Sequence, residues 1–118
     1  MAAAKLKFLI EQGATFAKTL TWKTGSTPTP VDLSTCTARM QIRATIEATT
    51  PLVSLTTENG GITLGGVAGT IQLFIDPTDT ADFTWTTGVY DLEIAFSATD
   101  VRRLLYGAVV VTPGVTRD

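Results

Sequence analysis

The chain has 118 residues, 44% of them apolar and 17% charged, with a net charge of −2 and a sequence pI of about 5. A chain of this length builds one domain that hides roughly two-thirds of its unfolded surface, so it needs no disulfide or metal staple. The charge argues against nucleic acid and a polybasic membrane patch, and no apolar run approaches the ~18 residues of a membrane span.

Met1 to Lys5 lacks the apolar core of a signal peptide, so secretion by the standard route is not indicated. Threonine makes up about a fifth of the chain, scattered among Val, Ile, Leu and aromatic residues, which is the composition of strands with one wet face.

In chain order, Leu6, Phe8 and Ile10 alternate with Lys5, Lys7, Leu9 and Glu11, the period-two signature of a half-buried strand. After Gly13, Phe16, Leu20 and Trp22 share one parity. Lys18 falls on that same parity and points to a bulge, an edge or a snorkelling side chain. Lys23 to Pro30 reads as a loop. In Thr37 to Arg43, Ala38, Met40 and Ile42 face one way and Arg39, Gln41 and Arg43 the other. Cys36, inside an alternating strand pattern, reads as a small buried hydrophobe rather than a reactive thiol; alone, it forms no internal disulfide.

Further strands are predicted at Leu52 to Thr57, Ile62 to Leu64 and Thr70 to Ile75. Asp76-Pro77-Thr78-Asp79 supplies an N-cap acceptor, a proline for the first helical position and a first-turn acid, which supports one helical turn near 76–83. Val89 to Ser97 and Val101 to Thr112 then form a hairpin through Ala98 to Asp100, ending at Pro113-Gly114. About eight short strands with Gly/Pro turns predict a single all-β domain over residues 1–118. The expected architecture is an antiparallel β-sandwich, immunoglobulin-like or jelly-roll-like, in preference to a closed barrel, with residues 1–4 and 114–118 as tails, free or ordered on assembly.

Five of the ten glycines lie in Asn59 to Thr70, NGGITLGGVAGT. A phosphate loop needs a strand, a glycine turn and then a helix N-terminus, and the Walker form also needs Gly-Lys-Ser/Thr. Here strands flank both sides and no lysine follows. The expectation is turn chemistry: Asn59-Gly60 as a hairpin turn and Gly65-Gly66 with Gly69 as a second reversal, so that residues 52 to 76 form a three-strand meander with no helix after Gly66.

Candidates for chemistry are few. Histidine is absent, which removes the commonest general base and metal ligand. With one cysteine there is also no zinc set or Cys-His pair, and no cofactor or metal is expected. Asp91 and Glu93 share a strand face about 7 Å apart by strand rise, a spacing open to a glycosidase pair but matched better by the wet face of an amphipathic strand. Asp76, Asp79 and Asp82 lack the spacing of a calcium loop, and capping explains the first two. Arg39 and Arg43 on one strand and Arg102 and Arg103 near a turn are expected to pair with Asp91, Glu93 or Asp100. Trp22 and Trp85, near loops, are core residues or interface anchors; with Arg39 and Arg43 they are the candidate partner contacts.

The segments Asp32-Leu33-Ser34, Thr37 to Arg43, Leu55 to Leu64, Gly69 to Leu73, Tyr90 to Ile94, Arg103 to Gly107 and Val109 to Pro113 together resemble small bacteriophage and prophage structural proteins encoded among tail genes. The pattern is similar to the N-terminal β-sandwich domain of siphophage upper baseplate proteins, and it is collinear from Ala14 to Arg117. Cys36 stands where an aromatic such as tyrosine is expected, and Ala98 to Asp100 lacks the usual Asp-Gly turn. The resemblance implies a non-enzymatic virion component that docks to other phage structural proteins (tail, baseplate, fibre or head-tail connector) in symmetric copies, by surface complementarity or strand pairing along an exposed edge. It implies no small-molecule substrate. Alternatives are a capsid decoration protein and a host-surface carbohydrate-binding module stacking sugars on Trp22 or Trp85.

Overall fold

The computed structural model describes residues 3–116. Eleven strands run in chain order: β1 (Ala4–Lys5), β2 (Phe8–Glu11), β3 (Phe16–Thr21), β4 (Lys23–Thr24), β5 (Thr29–Pro30), β6 (Thr37–Arg43), β7 (Val53–Thr56), β8 (Ile62–Leu64), β9 (Thr70–Ile75), β10 (Thr87–Ser97) and β11 (Asp100–Thr112). One sheet has the order β1-β11-β10-β6-β7, with β2 also on β11, and a second has the order β3-β9-β8. The two face each other across a single buried cluster, and the alternation read from the sequence is the one that fills it. Ala38, Met40 and Ile42 of β6, Tyr90, Leu92 and Ile94 of β10, and Val109 and Val111 of β11 meet Ile62, Ile71, Leu73 and Ile75 of the smaller sheet. The molecule is an all-β sandwich.

The smaller sheet explains Lys18. β3 is an edge strand in unbroken register with β9, from Phe16 opposite Ile75 to Thr21 opposite Thr70, so Lys18 reaches water without a bulge. The helical turn is helix α1 (Pro77–Ala81), capped by Asp76, whose Oδ1 accepts from the Thr78 N–H at 2.8 Å. Thr80 on its inner side is fully buried: its hydroxyl donates to the Ala14 carbonyl at 2.8 Å and accepts from the Gly13 N–H at 3.1 Å. That side chain pins α1 to the turn between β2 and β3.

Several expectations are corrected. The sheet pairing is not wholly antiparallel, because β1 and β2 lie parallel to β11, with Ala4 opposite Leu105 and Phe8 opposite Val109. The predicted first strand is split at Leu6 and Lys7, where the ladder continues only through the Leu6 N–H donating to the Tyr106 carbonyl at 2.9 Å. Gly107 lies so close to the Leu6 carbonyl that a Cβ there would overlap it. Residues 23–30 are not only a loop, since they hold the small β4–β5 hairpin. Cys36 precedes β6 and is half-buried; its N–H closes a turn onto the Leu33 carbonyl, and burial followed by the Asp32 charge pushes its thiol pKa up. Ala4 belongs to β1 and the Gly114 N–H donates to Gln12 Oε1 at 2.9 Å, so neither position is a free tail. Residues 1, 2, 117 and 118 of the predicted tails lie outside the described residues.

The largest correction concerns the glycine-rich stretch. β7 pairs with β6 in the large sheet while β8 pairs with β9 in the small one, so residues 52 to 76 are not a meander. The Asn59-Gly60 segment carries the chain from one layer to the other. Gly60 has a φ of 82°, but no non-glycine residue among those described has a positive φ, so Asn59 does not complete the mirror-image hairpin turn. Its side chain organises the crossover instead: Oδ1 accepts from the Thr56 and Gly61 N–H groups at 2.9 Å each, and Nδ2 donates to the Ser54 carbonyl at 3.0 Å. The second reversal does join a hairpin, β8 to β9, but it contains a 3-10 turn at Gly66–Ala68 where no helix was expected. Gly69 ends that turn at a φ of 70°, packed so close to the Trp22 carbonyl and the Val31 N–H that no side chain fits.

Candidate functional site

The outer face of the large sheet is built as three rungs across β6, β10 and β11. In the first, Arg39 lies opposite Glu93, which lies opposite Arg103; in the second, Gln41, Asp91 and Tyr106; in the third, Arg43, Val89 and Ala108. Each residue points away from the core because its neighbours on either side, such as Met40 and Leu92, point in. The rungs border an open groove of about 720 Å³ whose rim also includes Lys5 of β1 and Ile46 of the loop after β6.

Register decides which charges meet. Between Leu92 and Glu93 the β10–β11 pairing shifts by one residue, leaving Leu104 without a counterpart. Arg103 Nε accordingly reaches the diagonal Asp91 Oδ2 at 3.2 Å, and Arg39 Nη2 approaches Glu93 Oε1 at 3.9 Å. Both pairs are exposed, so each contributes under about 1 kcal/mol to stability. The two carboxylates considered for acid–base work are therefore each held by an arginine, the pairing the sequence suggested. Arg43 has no carboxylate partner among the described residues: it donates to the Ala48 carbonyl at 2.6 Å and to Gln41 Oε1 at 2.7 Å, tying the following loop to the face. Ile46 on that loop is 82% exposed, and Tyr106 is 42% exposed.

The remaining candidates lie elsewhere. Trp22 is 8% exposed, with its indole stacked on Phe96 at 5.8 Å and its Nε1 buried without a hydrogen-bond partner. It is a core residue, which corrects its place among the partner contacts and removes it as a sugar platform. Trp85 is half-buried against Phe83 at 5.0 Å. Arg102 and Arg103 both reach solvent although they alternate across the sheet, Arg103 opposite Glu93 of the outer face and Arg102 opposite the buried Ile94; Arg102 lies 4.5 Å over the Phe96 ring and pairs with Asp100 at 3.2 Å. Asp79 and Asp82 sit on and just after α1, with Asp76 at its cap. The sequence did not single out Tyr106, Ile46 or Lys5. Tyr106 had a usable signal, since it alternates in unbroken register with the buried Val109 and Val111; Arg103, which shares their parity, reaches the outer face only through the Leu104 bulge, which a two-residue period does not show.

The fold finds a match among solved structures. The immunoglobulin-like domain of mouse leukocyte-associated immunoglobulin-like receptor 1, crystallised as a strand-swapped dimer, is similar to this chain with a TM-score of 0.51. The match is 15% identical and covers 90% of this chain and 88% of that one. The fold is immunoglobulin-like. At that identity the likeness concerns architecture alone, and no protein-family model or curated protein sequence matches the chain. Antibody-type members tie their sheets with a disulfide. Here the lone cysteine lies outside both sheets, and the sheets are held by packing of fully buried side chains such as Ile71, Leu73, Leu92 and Ile94.

Proposed function

We propose that this immunoglobulin-like domain is a structural component of a bacteriophage virion, in the tail, baseplate or fibre-attachment region, where it docks to other structural proteins in symmetric copies and catalyses nothing. The virion setting rests on the collinear resemblance from Ala14 to Arg117. The docking role rests on one observation, the open groove on the large sheet rimmed by Arg39, Arg43, Arg103, Tyr106 and the exposed Ile46. Arginine and tyrosine are the residue types that interfaces concentrate, and an apolar side chain left in water beside them gains by being covered. The pairing of Asp91 and Glu93 with arginines fits a recognition face better than a catalytic carboxylate pair.

The test is mass spectrometry of purified particles from a phage or induced prophage encoding this chain, followed by imaging. The chain is expected in intact particles at a fixed ratio to a tail protein. Its absence overturns the assignment, and its location on the capsid shell replaces the tail reading with capsid decoration.

A further inference from the structure

The outer-face groove carries more positive charge than its own carboxylates neutralise. Lys5, Arg39, Arg43 and Arg103 line it against Asp91 and Glu93, a net +2 in a chain whose net charge is −2. Glu47, next to Ile46 in sequence, is not part of the lining. A second concavity, about 540 Å³, opens between β7, the 59–61 crossover, the end of β9 and α1. Its lining holds Asp76, Asp79 and Asp82 and no lysine or arginine, a net −3, with Phe74 and Leu52 partly exposed in it. Asp79 and Asp82 make no ion pair among the described residues, and the two linings have no residue in common.

We propose that the basic groove receives the acidic α1 end of a second copy of this chain, so that copies join head to tail. Opposite net charges on two separate surfaces of one molecule attract each other between copies, whereas a two-fold contact of groove on groove sets +2 against +2. Head-to-tail contacts are heterologous and repeat until a ring closes or a filament grows. Pairing of sheet edges is a competing route for copies to meet, and at the β3 edge Lys18, exposed in its middle, opposes it. Each surface also carries exposed apolar groups, Ile46 and Tyr106 on the groove side and Phe74 and Leu52 on the acidic side, while Leu9, Val67, Val101 and Val115 are exposed outside both.

The inference names the surfaces by which copies meet and rests on the charge map, not on the virion setting. The two fail separately: particles lacking the chain overturn the setting, and a chain that stays monomeric overturns the contact.

The experiment is analytical ultracentrifugation of the full chain at low and high salt. Association is expected to rise with concentration and to be weaker in about 0.5 M than in about 0.05 M salt, because exposed charges are screened. Two charge-reversed variants are then compared, Asp79→Lys with Asp82→Lys, and Lys5→Glu with Arg39→Glu; all four positions are exposed, and circular dichroism checks that each variant folds. Each variant alone is expected to associate at least about tenfold more weakly. An equimolar mixture is expected to associate again, since each variant supplies the surface that the other's reversed face attracts. A monomeric wild type, or association that survives both reversals, overturns the proposal. So does a chain that binds a poly-glutamate peptide in the groove while remaining monomeric, which assigns the groove to a different acidic protein.

Discussion

Replacing Thr80 by valine keeps the shape of the side chain and removes its hydroxyl. The residue is fully buried under α1, and the hydroxyl makes two hydrogen bonds across elements, to the Ala14 carbonyl at 2.8 Å and from the Gly13 N–H at 3.1 Å. At about 0.5–1.5 kcal/mol net for each bond, the loss is about 1–3 kcal/mol. Gly13 and Ala14 lie at the surface, where water takes over part of their hydrogen bonding, so the expected cost sits near the middle, about 2 kcal/mol. For a domain of this size that lowers Tm by roughly 8 °C. Thr80→Ser keeps the hydroxyl and removes one methyl group, at about 1 kcal/mol. Urea denaturation and calorimetry are expected to rank wild type above Thr80→Ser above Thr80→Val, with unchanged m-values. A valine variant as stable as wild type, or more stable than the serine variant, refutes the pinning role.

Gly107→Ala sets a Cβ against the Leu6 carbonyl in the parallel joint, with an expected cost of about 2 kcal/mol or more and faster hydrogen exchange at the Leu6 amide; unchanged exchange contradicts the close approach. Asn59→Ala removes the three side-chain hydrogen bonds that shape the crossover, at an expected cost of about 1–2 kcal/mol in urea denaturation, while Asn59→Asp, which keeps the acceptor, is expected to lose less. The Tyr90 hydroxyl donates to the Leu6 carbonyl at 2.6 Å, and burial pushes its pKa from 10 up to about 12. The folded state therefore favours the neutral phenol, so this contribution is complete below pH 10 and is lost as pH rises from 10 to about 12. Stability curves across that window are expected to flatten in Tyr90→Phe.

Most strands were legible because a strand's side-chain period is a local property. Thr37–Arg43, Ile62–Leu64 and Thr70–Ile75 were delimited to the residue from alternation and flanking Gly, Pro and Asp. The cap of α1 was legible for the same reason, since Asp76 acts on a backbone amide two residues away. Lys18 was readable as an anomaly, though not as a choice among edge, bulge and snorkelling. At the candidate site, Arg39 and Arg43 were visible on the polar side of β6 and Tyr106 was readable from its alternation with the buried Val109 and Val111, while Arg103 and Lys5 reach the groove through a bulge and a parallel pairing that no local period shows.

The errors share one cause. Asn59-Gly60 has the chemistry of a reversal, and the chain does turn there, but a turn between two strands says nothing about whether both enter the same sheet. That choice depends on which strand edges are open and which apolar faces need cover, and β8 covers the core from the opposite layer. Trp22 illustrates the same limit: next to a loop in sequence, it is enclosed because Gly69 and Val31 close over its backbone and Phe96 over its ring.

By itself the sequence determined an all-β chain of short amphipathic strands, the capped turn near 76–83, and an outward row of arginines on β6. The tertiary structure alone decided the two-layer partition, the parallel seam of β1 and β2 on β11, and the gathering of basic and acidic groups into separate concavities. Alternation arises from the geometry of a single strand, whereas pairing, layering and charge clustering arise from contacts between residues as far apart as Leu6 and Tyr90.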